Sequence, residues 1–350
     1  MALVEADGET GEASAAGIRP PDRVVRKVSI IILNWNRRDD TLECLRSVQR
    51  IDYPDFETIV VDNGSSDGSV AAMRTAFPQV RVLETKENLG YAGGNNVGIR
   101  DALERGTDYI LLLNNDTIVD PALLRQFVDA AAAFPDGGMF TGKIYFYAEP
   151  NRIWFGGSKW YPERSKFLHV GYGEIDDESR HNSICETDYA SGCALFVRAE
   201  VIHEIGYLDE LFFLVYEEVD WCYRAKRAGH RSIFVPRAKI WHKVSASLGK
   251  RSPLIFYFYV RNSFLWAERY LTLGERIALF KQVLGEVLPL RSILKQVRSS
   301  IDAKNASMAK ALYWQLSAHC SKPVVRAKIC AVRDYVLRRF GNCPDWIRAL

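Results

Sequence analysis

Five short stretches carry the side chains with which this 350-residue chain could do chemistry. Asn114-Asn115-Asp116 follows the apolar run Tyr109 to Leu113. A carboxylate just past a buried strand can hold a hard cation, because magnesium takes one or two carboxylates and fills its shell with phosphate oxygens and water. Such a cation neutralises a departing diphosphate. A polar turn ahead of Asp120-Pro121 accounts for the same residues equally well. Asp62-Asn63-Gly64-Ser65-Ser66-Asp67-Gly68 ends a second β-branched run, where Asp62 can accept from a base N–H and the small residues let the backbone approach a nucleotide. Plain Asn-Gly turn chemistry is the competing reading. Glu87 to Asn96 offers Asn88, Gly90, Gly93 and Asn95 for close approach to phosphate or sugar, or a loop with no ligand. It has neither the Gly-x-Gly-x-x-Gly order of a dinucleotide site nor the Gly-Lys-Ser/Thr of a phosphate loop. Glu217-Glu218-Val219-Asp220 follows the aromatic run Phe212 to Tyr216, where partial burial would raise a carboxyl toward the pKa of a useful base. A solvated helix start, with Asp220 pairing to Arg224, explains the same acids. His242, after Trp241, is a candidate metal ligand or a satisfied buried histidine.

The elements that must position these residues alternate. Val28 to Leu33 reads as a strand buried on both faces and ends at Asn34-Trp35-Asn36. Asp40-Thr41-Leu42-Glu43 offers a capping box for the helix that follows. Strands are predicted at Thr58 to Val61, Val80 to Glu84 and Tyr109 to Leu113, with helices from Val70, Val97 and Pro121. Four strand–helix units in succession predict an α/β fold with a mostly parallel central sheet flanked by helices, a Rossmann-like nucleotide-binding half. Ligands in such sheets sit outside the carboxyl ends of the strands, where the polar clusters stand. Beyond Phe134 the pattern is irregular. A strand is predicted around Ala194 to Val197, a helix over Glu217 to Ala228, and strands at Ser232 to Val235 and Ile240 to His242. After Ser245 the chain reads as helix, with apolar stripes at Ile277, Phe280, Leu284, Val287 and Leu288, then Ile293, Leu294, Val297 and Ile301.

The net charge of +3 hides a division. Lys250 to Leu350 holds 18 Lys and Arg against 6 Asp and Glu, and the rest holds 28 against 37. An acidic body thus joins a basic, helical end, for which an anionic membrane surface or an oligomer interface through the helices is the expectation. An acidic body argues against nucleic acid as a partner. Seven cysteines, an odd number without Cys-x-x-Cys, read as free thiols in a reducing compartment. Residues 1–26 lack the apolar stretch of a signal peptide and read as a flexible tail. No run approaches the roughly 18 apolar residues of a membrane span. The expectation is a cytoplasmic protein, peripheral at the inner face of the cell membrane.

In order along the chain, Val28 to Asn36, Val61 to Gly68, Glu87 to Asn96, Leu113 to Asp116, Ser191-Gly192, Tyr216 to Cys222 and Trp241-His242 resemble glycosyltransferase family 2, in its rhamnosyltransferase-like branch. The resemblance covers roughly Lys27 to Ser245. It implies a GT-A fold, with residues 27–245 catalytic (27–120 the nucleotide-sugar half, 121–245 the acceptor half) and 246–350 a basic helical extension. It also implies a nucleotide-diphosphate sugar donor, a divalent metal (magnesium or manganese) and a glycan or lipid-linked acceptor. Carried over by position, Asn34, Asn36, Asp62, Asn63, Asn88, Gly90, Gly93, Asn95, Asn114 and Asn115 would contact the donor, with Asp62 on its base. Asp116 would hold the metal, with His242 completing the site and Asn114 standing where the motif often has its first Asp. Glu218 would be the catalytic base of a single in-line, inverting displacement, with Glu217 and Asp220 as alternatives. Rhamnose from a dTDP- or UDP-sugar is the leading donor. The rival classes are a sugar nucleotidyltransferase, which calls for a Gly-rich basic loop after the first strand, and a nucleotide-sugar-binding protein without catalysis.

Overall fold

The computed structural model describes residues 25–244, 252–288, 295 and 308–348. Nearly all of the expected tail, Ser245, and the stripe residues Ile293, Leu294, Val297 and Ile301 lie outside them. β1 (Val28–Asn34) is wholly buried over Val28 and Ile30 to Ile32, as its unbroken apolar run requires. It pairs in parallel with β2 (Phe56–Asp62) on one side and β4 (Tyr109–Asn114) on the other, and β3 (Arg81–Glu84) continues beyond β2. The register sets Asn34 opposite Asp62 and Leu33 opposite Asn114. Strands about 4.8 Å apart therefore present these polar ends within roughly 10 Å of one another.

Helices α1 (Arg38–Val48), α2 (Ser69–Ala76) and α3 (Gly90–Glu104) connect these strands. α3 begins seven residues before the predicted Val97, so the supposed Gly-rich loop is its first two turns. Glycine is a poor helix former, but packing overrides propensity here. A Cβ on Gly94 would lie 2.4 Å from Leu33 Cδ1, and one on Gly98 2.6 Å from Ile31 Cγ2. The missing side chains let α3 lie directly on β1. α1 starts at Arg38 without a side-chain cap, so the capping box expected at Asp40 does not form. Thr41 instead bonds Asn34.

Past β4, the short β5 (Thr117–Val119) and α4 (Leu123–Ala133) lead into the stretch expected to be irregular. It holds β6 (Gly137–Phe146), β7 (Glu149–Phe155), β8 (Ser158–Tyr161), β9 (Lys166–His169) and the short β10 (Cys185–Glu186). β6 escapes sequence reading because Gly137, Gly138, Gly142 and Lys143 interrupt its apolar pattern. The lysine is buried and bonds Asp176, 2.8 Å away. β11 (Ala194–Arg198), α5 (Ala199–Ile205) and α6 (Glu217–Arg227) follow, and β12 (Arg231–His242) fuses the two short strands expected there, with an irregularity between Val235 and Lys239. Ten strands of the described residues form one sheet, whose main order is β10-β12-β6-β11-β4-β1-β2-β3. It is parallel through β4-β1-β2-β3, and β11 runs antiparallel between β4 and β6.

The C-terminal region is helical. α7 (Pro253–Tyr270) is buried along much of its length and packs against α10 (Pro323–Val336), with α8 (Leu273–Val287), α9 (Met308–Cys320) and α11 (Asp345–Arg348) around it. α8 is opened by a full capping box of Thr272 and Glu275. Its Leu273, Ile277, Phe280 and Leu284 are exposed. Among the described residues no helix is long and apolar enough to cross a membrane.

Candidate active site

The carboxyl ends of β2, β1 and β4 are tied together by buried polar side chains. Asn34 has no exposure, and its Nδ2 donates to Asp62 Oδ1 at 2.7 Å. Its Oδ1 accepts from Thr41 Oγ1 at 2.7 Å and from Asn115 Nδ2 at 3.2 Å. Asp62 Oδ2 accepts from the Ser65 amide at 2.9 Å. Asn63 Nδ2 donates to Asn88 Oδ1 and to the Gly90 carbonyl, both at 3.0 Å, and this draws the start of α3 onto the same edge. Buried polar groups that satisfy one another in this way fix a single arrangement.

Asp116 and His242 meet through strand pairing, because Thr117 of β5 lies opposite His242 of β12. Asp116 Oδ1 lies 3.1 Å from His242 Nε2, with both side chains nearly buried. Burial opposes charge on the imidazole, but Cys193 and the Asp116 carboxylate beside it outweigh burial and push its pKa up to about 10. His242 Nδ1 is buried and has no hydrogen-bond partner among the described residues. One carboxylate and one imidazole suit a divalent cation that takes its remaining ligands from phosphate and water. No cluster of three or more His, Cys, Asp or Glu side chains stands ready among the described residues to hold a cation unaided. The donor set therefore fits a cation shared with a bound diphosphate. Cation binding would displace the proton held between the two side chains.

Glu217 and Glu218 open α6 from a loop whose Phe213, Val215 and Tyr216 have φ of 63°, 69° and 81°. Left-handed backbone is rare for such residues, above all for a β-branched valine, and it clusters at functional sites. Oε2 of each glutamate is buried with no hydrogen-bond partner among the described residues. Burial pushes both carboxyls above the ordinary range, Glu217 further because the Glu218 charge lies beside it. A Cβ on Gly192 would lie 3.7 Å from Glu218 Cβ and 3.1 Å from the Tyr91 hydroxyl, which donates to the Gly192 carbonyl. Asp220 is placed differently. It is wholly buried, and its oxygens accept from Arg224 at 2.9 Å, Arg269 at 2.7 Å and Tyr270 at 2.8 Å, which bolts α6 to α7.

A cavity of about 420 Å³ opens over this edge. Asn36, Asn63, Asn88, Gly90, Asn114, Asn115 and Asp116 line it, as does Tyr91. Asn34 and Asp62 lie beneath, in the network that carries the lining residues. Gly93 faces Glu210, and Asn95 bonds the Tyr91 carbonyl within α3, so neither lines the cavity. Leu33 also lines it, and sequence reasoning missed Trp35, Arg37, Phe213, Leu214, Leu254, Phe258, Asn342 and Arg348, which complete the lining. Trp35 and Arg37 were signalled by their place between the amides and the first helix. The last four were not, since nothing local marks α7 and the end of the chain as walls of a site near residue 116. A larger cavity, about 680 Å³, lies around Tyr53, Tyr109, Arg125 and Arg198, at the amino ends of the strands and away from every acid described above.

Glu217, Glu218 and His242 do not line the cavity; Asp116 and Tyr91 are the lining residues next to them. A half-parallel sheet with an acid just past β4 at its carboxyl edge defines a GT-A fold. Residues 29–192 match the profile of glycosyl transferase family 2. The acids Glu217 and Glu218 and His242 lie beyond the matched stretch. The low-salt glycan biosynthesis hexosyltransferase Agl10 of Haloferax volcanii is 29% identical over 205 residues, which is 57% of this chain and 62% of that protein. The N-acetylglucosaminyl-diphospho-decaprenol L-rhamnosyltransferase of Mycobacterium tuberculosis is 27% identical over 211 residues, 55% of this chain and 68% of that one. The match thus spans about two thirds of these relatives' own length. The solved mannosyltransferase PcManGT from Pyrobaculum calidifontis, in complex with GDP-Man and Mn2+, shares the fold with a TM-score of 0.56 at 16% identity, over 90% of this chain and 88% of that one.

Proposed function

We propose that this chain is a metal-dependent, inverting glycosyltransferase. It moves a sugar from a dTDP- or UDP-sugar to a hydroxyl of a glycan or lipid-linked acceptor in cell-surface polysaccharide synthesis, with rhamnose the leading sugar. The observation that carries the reading is Asp116, which lines the cavity and is paired with His242, together with the unpartnered acids of α6, whose charges lie near Tyr91 of the same lining.

In this reading the donor lies along the carboxyl edge of β1, β2 and β4. Trp35 offers a face for stacking to the base, and Asn36, Asn63, Asn88 and Asn114 offer amides to ribose and phosphate. Asp62 and Asn34 hold those residues in register from below. Asp116 and His242 would hold a magnesium or manganese ion, which would supply charge to the leaving diphosphate. Arg37, at the rim, adds a second positive charge on that side. Glu218 Oε2, buried and unpartnered, takes the proton from the acceptor hydroxyl. The acceptor oxygen forms its bond to the anomeric carbon as the bond from that carbon to the diphosphate oxygen breaks. The nucleoside diphosphate departs with the electron pair, and the configuration inverts. Burial and its neighbour's charge raise the Glu217 carboxyl further than that of Glu218, so Glu218 is the readier of the two to ionise. Asp220, committed to Arg224 and Arg269, is structural. The basic C-terminal region and the exposed stripe of α8 suit a place at the inner membrane face.

The test is a panel of nucleotide sugars with manganese, with nucleoside diphosphate release followed with and without acceptor. Release with one sugar, stimulated by acceptor and abolished by chelator, is the expected outcome. No release from any donor would overturn the reading.

A further inference from the structure

Two polar side chains of α7 take no part in the chemistry above, yet both are completely buried. Asn262 Nδ2 faces three backbone oxygens of one loop, those of Phe212 at 2.8 Å, Leu214 at 2.8 Å and Val215 at 2.7 Å. Arg261 Nη2 donates to the carbonyls of Phe212 at 3.0 Å and Leu211 at 3.3 Å, and its Nη1 to that of Gly341 at 2.7 Å. The guanidinium stacks among Tyr257, Phe258 and Phe340, 5.0 to 5.8 Å from their ring centres.

Burying a guanidinium is costly unless its donors are satisfied, and a helix that needed only to pack would use apolar residues at both positions. What this pair holds is the loop from Leu211 to Tyr216. It has three non-glycine residues in left-handed backbone, and no regular ladder of its own to keep them there. Its other side is stitched to α3, where the Phe213 carbonyl accepts from the amides of Tyr91 at 2.7 Å and Ala92 at 3.3 Å. Tyr216, the last strained residue, is the N-cap of α6, and Glu217 and Glu218 are the next two. The direction in which α6 starts is therefore set by this loop.

We propose that Arg261 and Asn262 form a positioning clamp that holds the strained loop Leu211–Tyr216 and so sets where the Glu218 carboxylate stands. The proposal rests on the reading of Glu218 as the base. It makes α7, which lies outside the family-matched residues, part of the reaction machinery. Through the Gly341 carbonyl the same clamp also seats the end of the chain, whose Asn342 and Arg348 line the cavity.

The test is Asn262→Leu in the full chain, assayed with the donor and acceptor that the panel identifies. A lost positioning contact lowers kcat by about 100-fold, while nucleoside diphosphate affinity in manganese, measured by calorimetry, stays within about twofold, because the donor edge is built by β1, β2 and β4. Adding Val215→Gly recovers about tenfold of that kcat, since glycine adopts φ of 69° without a clamp. A kcat within about threefold of wild type overturns the proposal, as does a loss of nucleotide affinity as large as the loss in kcat, or no recovery on adding Val215→Gly. Should Asn262→Leu fail to accumulate, Arg261→Lys, which keeps the charge and loses the fork, must show the same split. Wild-type turnover by Glu218→Gln would instead remove the base on which the proposal rests, an outcome separate from any result at Asn262.

Discussion

On the sheet side of the cavity, Asn36, Asn63 and Asn114 to Asp116 each stand at or within a few residues of the end of a parallel strand, and their spacing is inherited from strand register. On the far wall, Phe213, Leu214, Leu254, Phe258, Asn342 and Arg348 come from a strained loop, the start of α7 and the end of the chain. The first wall is assembled by backbone ladders that short segments dictate. The second is assembled by a few buried side chains that reach across the fold. In the proposed reading, binding a nucleotide would depend on the first kind of structure and placing a base on the second, and substitutions should separate them.

The largest expected effects fall on the two acids. Asp116→Ala should abolish both donor hydrolysis and transfer, and weaken manganese-dependent nucleotide binding. Glu218→Gln should lower transfer by at least about 1,000-fold, roughly 4 kcal/mol, with nucleotide binding intact. Calorimetry beside steady-state assay checks the split. If both variants lost nucleotide affinity alike, the two walls would not be separate.

Asp220→Asn comes next. It leaves Arg269 and Arg224 without their buried carboxylate, and should destabilise the fold by about 3–5 kcal/mol. Denaturant midpoints read this, and turnover per folded molecule should survive far better than in Glu218→Gln. Gly90→Ala joins the walls wrongly. Its Cβ would stand 2.4 Å from the Phe213 carbonyl oxygen at a φ of 75°, for a cost of about 1–3 kcal/mol. The thermal midpoint and kcat should fall together.

The smallest effect is in pH. Burial raises the Glu218 carboxyl, and the reactive form is the ionised one, so kcat/KM should fall on the acid side at a pH above the usual carboxylate value of about 4.3. Glu217 is raised as well, so the folded state keeps its proton to higher pH than the unfolded state does. Its share of stability is present at low pH and is lost as pH rises through the folded pKa. Glu217→Gln should therefore gain stability relative to wild type at alkaline pH, read as a smaller decline of Tm with pH.

The chain's own pattern determined a great deal. Val28 to Leu33 and Tyr109 to Leu113 are apolar without interruption, so they had to be strands covered on both faces, and a polar run after such a strand had to sit at the sheet's carboxyl edge. The resemblance to glycosyl transferase family 2 was likewise legible from the order of those runs. Tertiary structure decided the rest, because it depended on partners distant in sequence. The glycines of Gly90 to Gly98 became helix since their bare backbone fits against Leu33 and Ile31. Lys143 entered a buried strand since Asp176 meets it there. Among three neighbouring acids, only packing separated Asp220, neutralised by Arg269 from α7, from Glu217 and Glu218, left with an unpartnered oxygen each. A residue's charge is written in its type, but whether that charge is spent on the fold or kept for a substrate depends on what the folded chain places beside it.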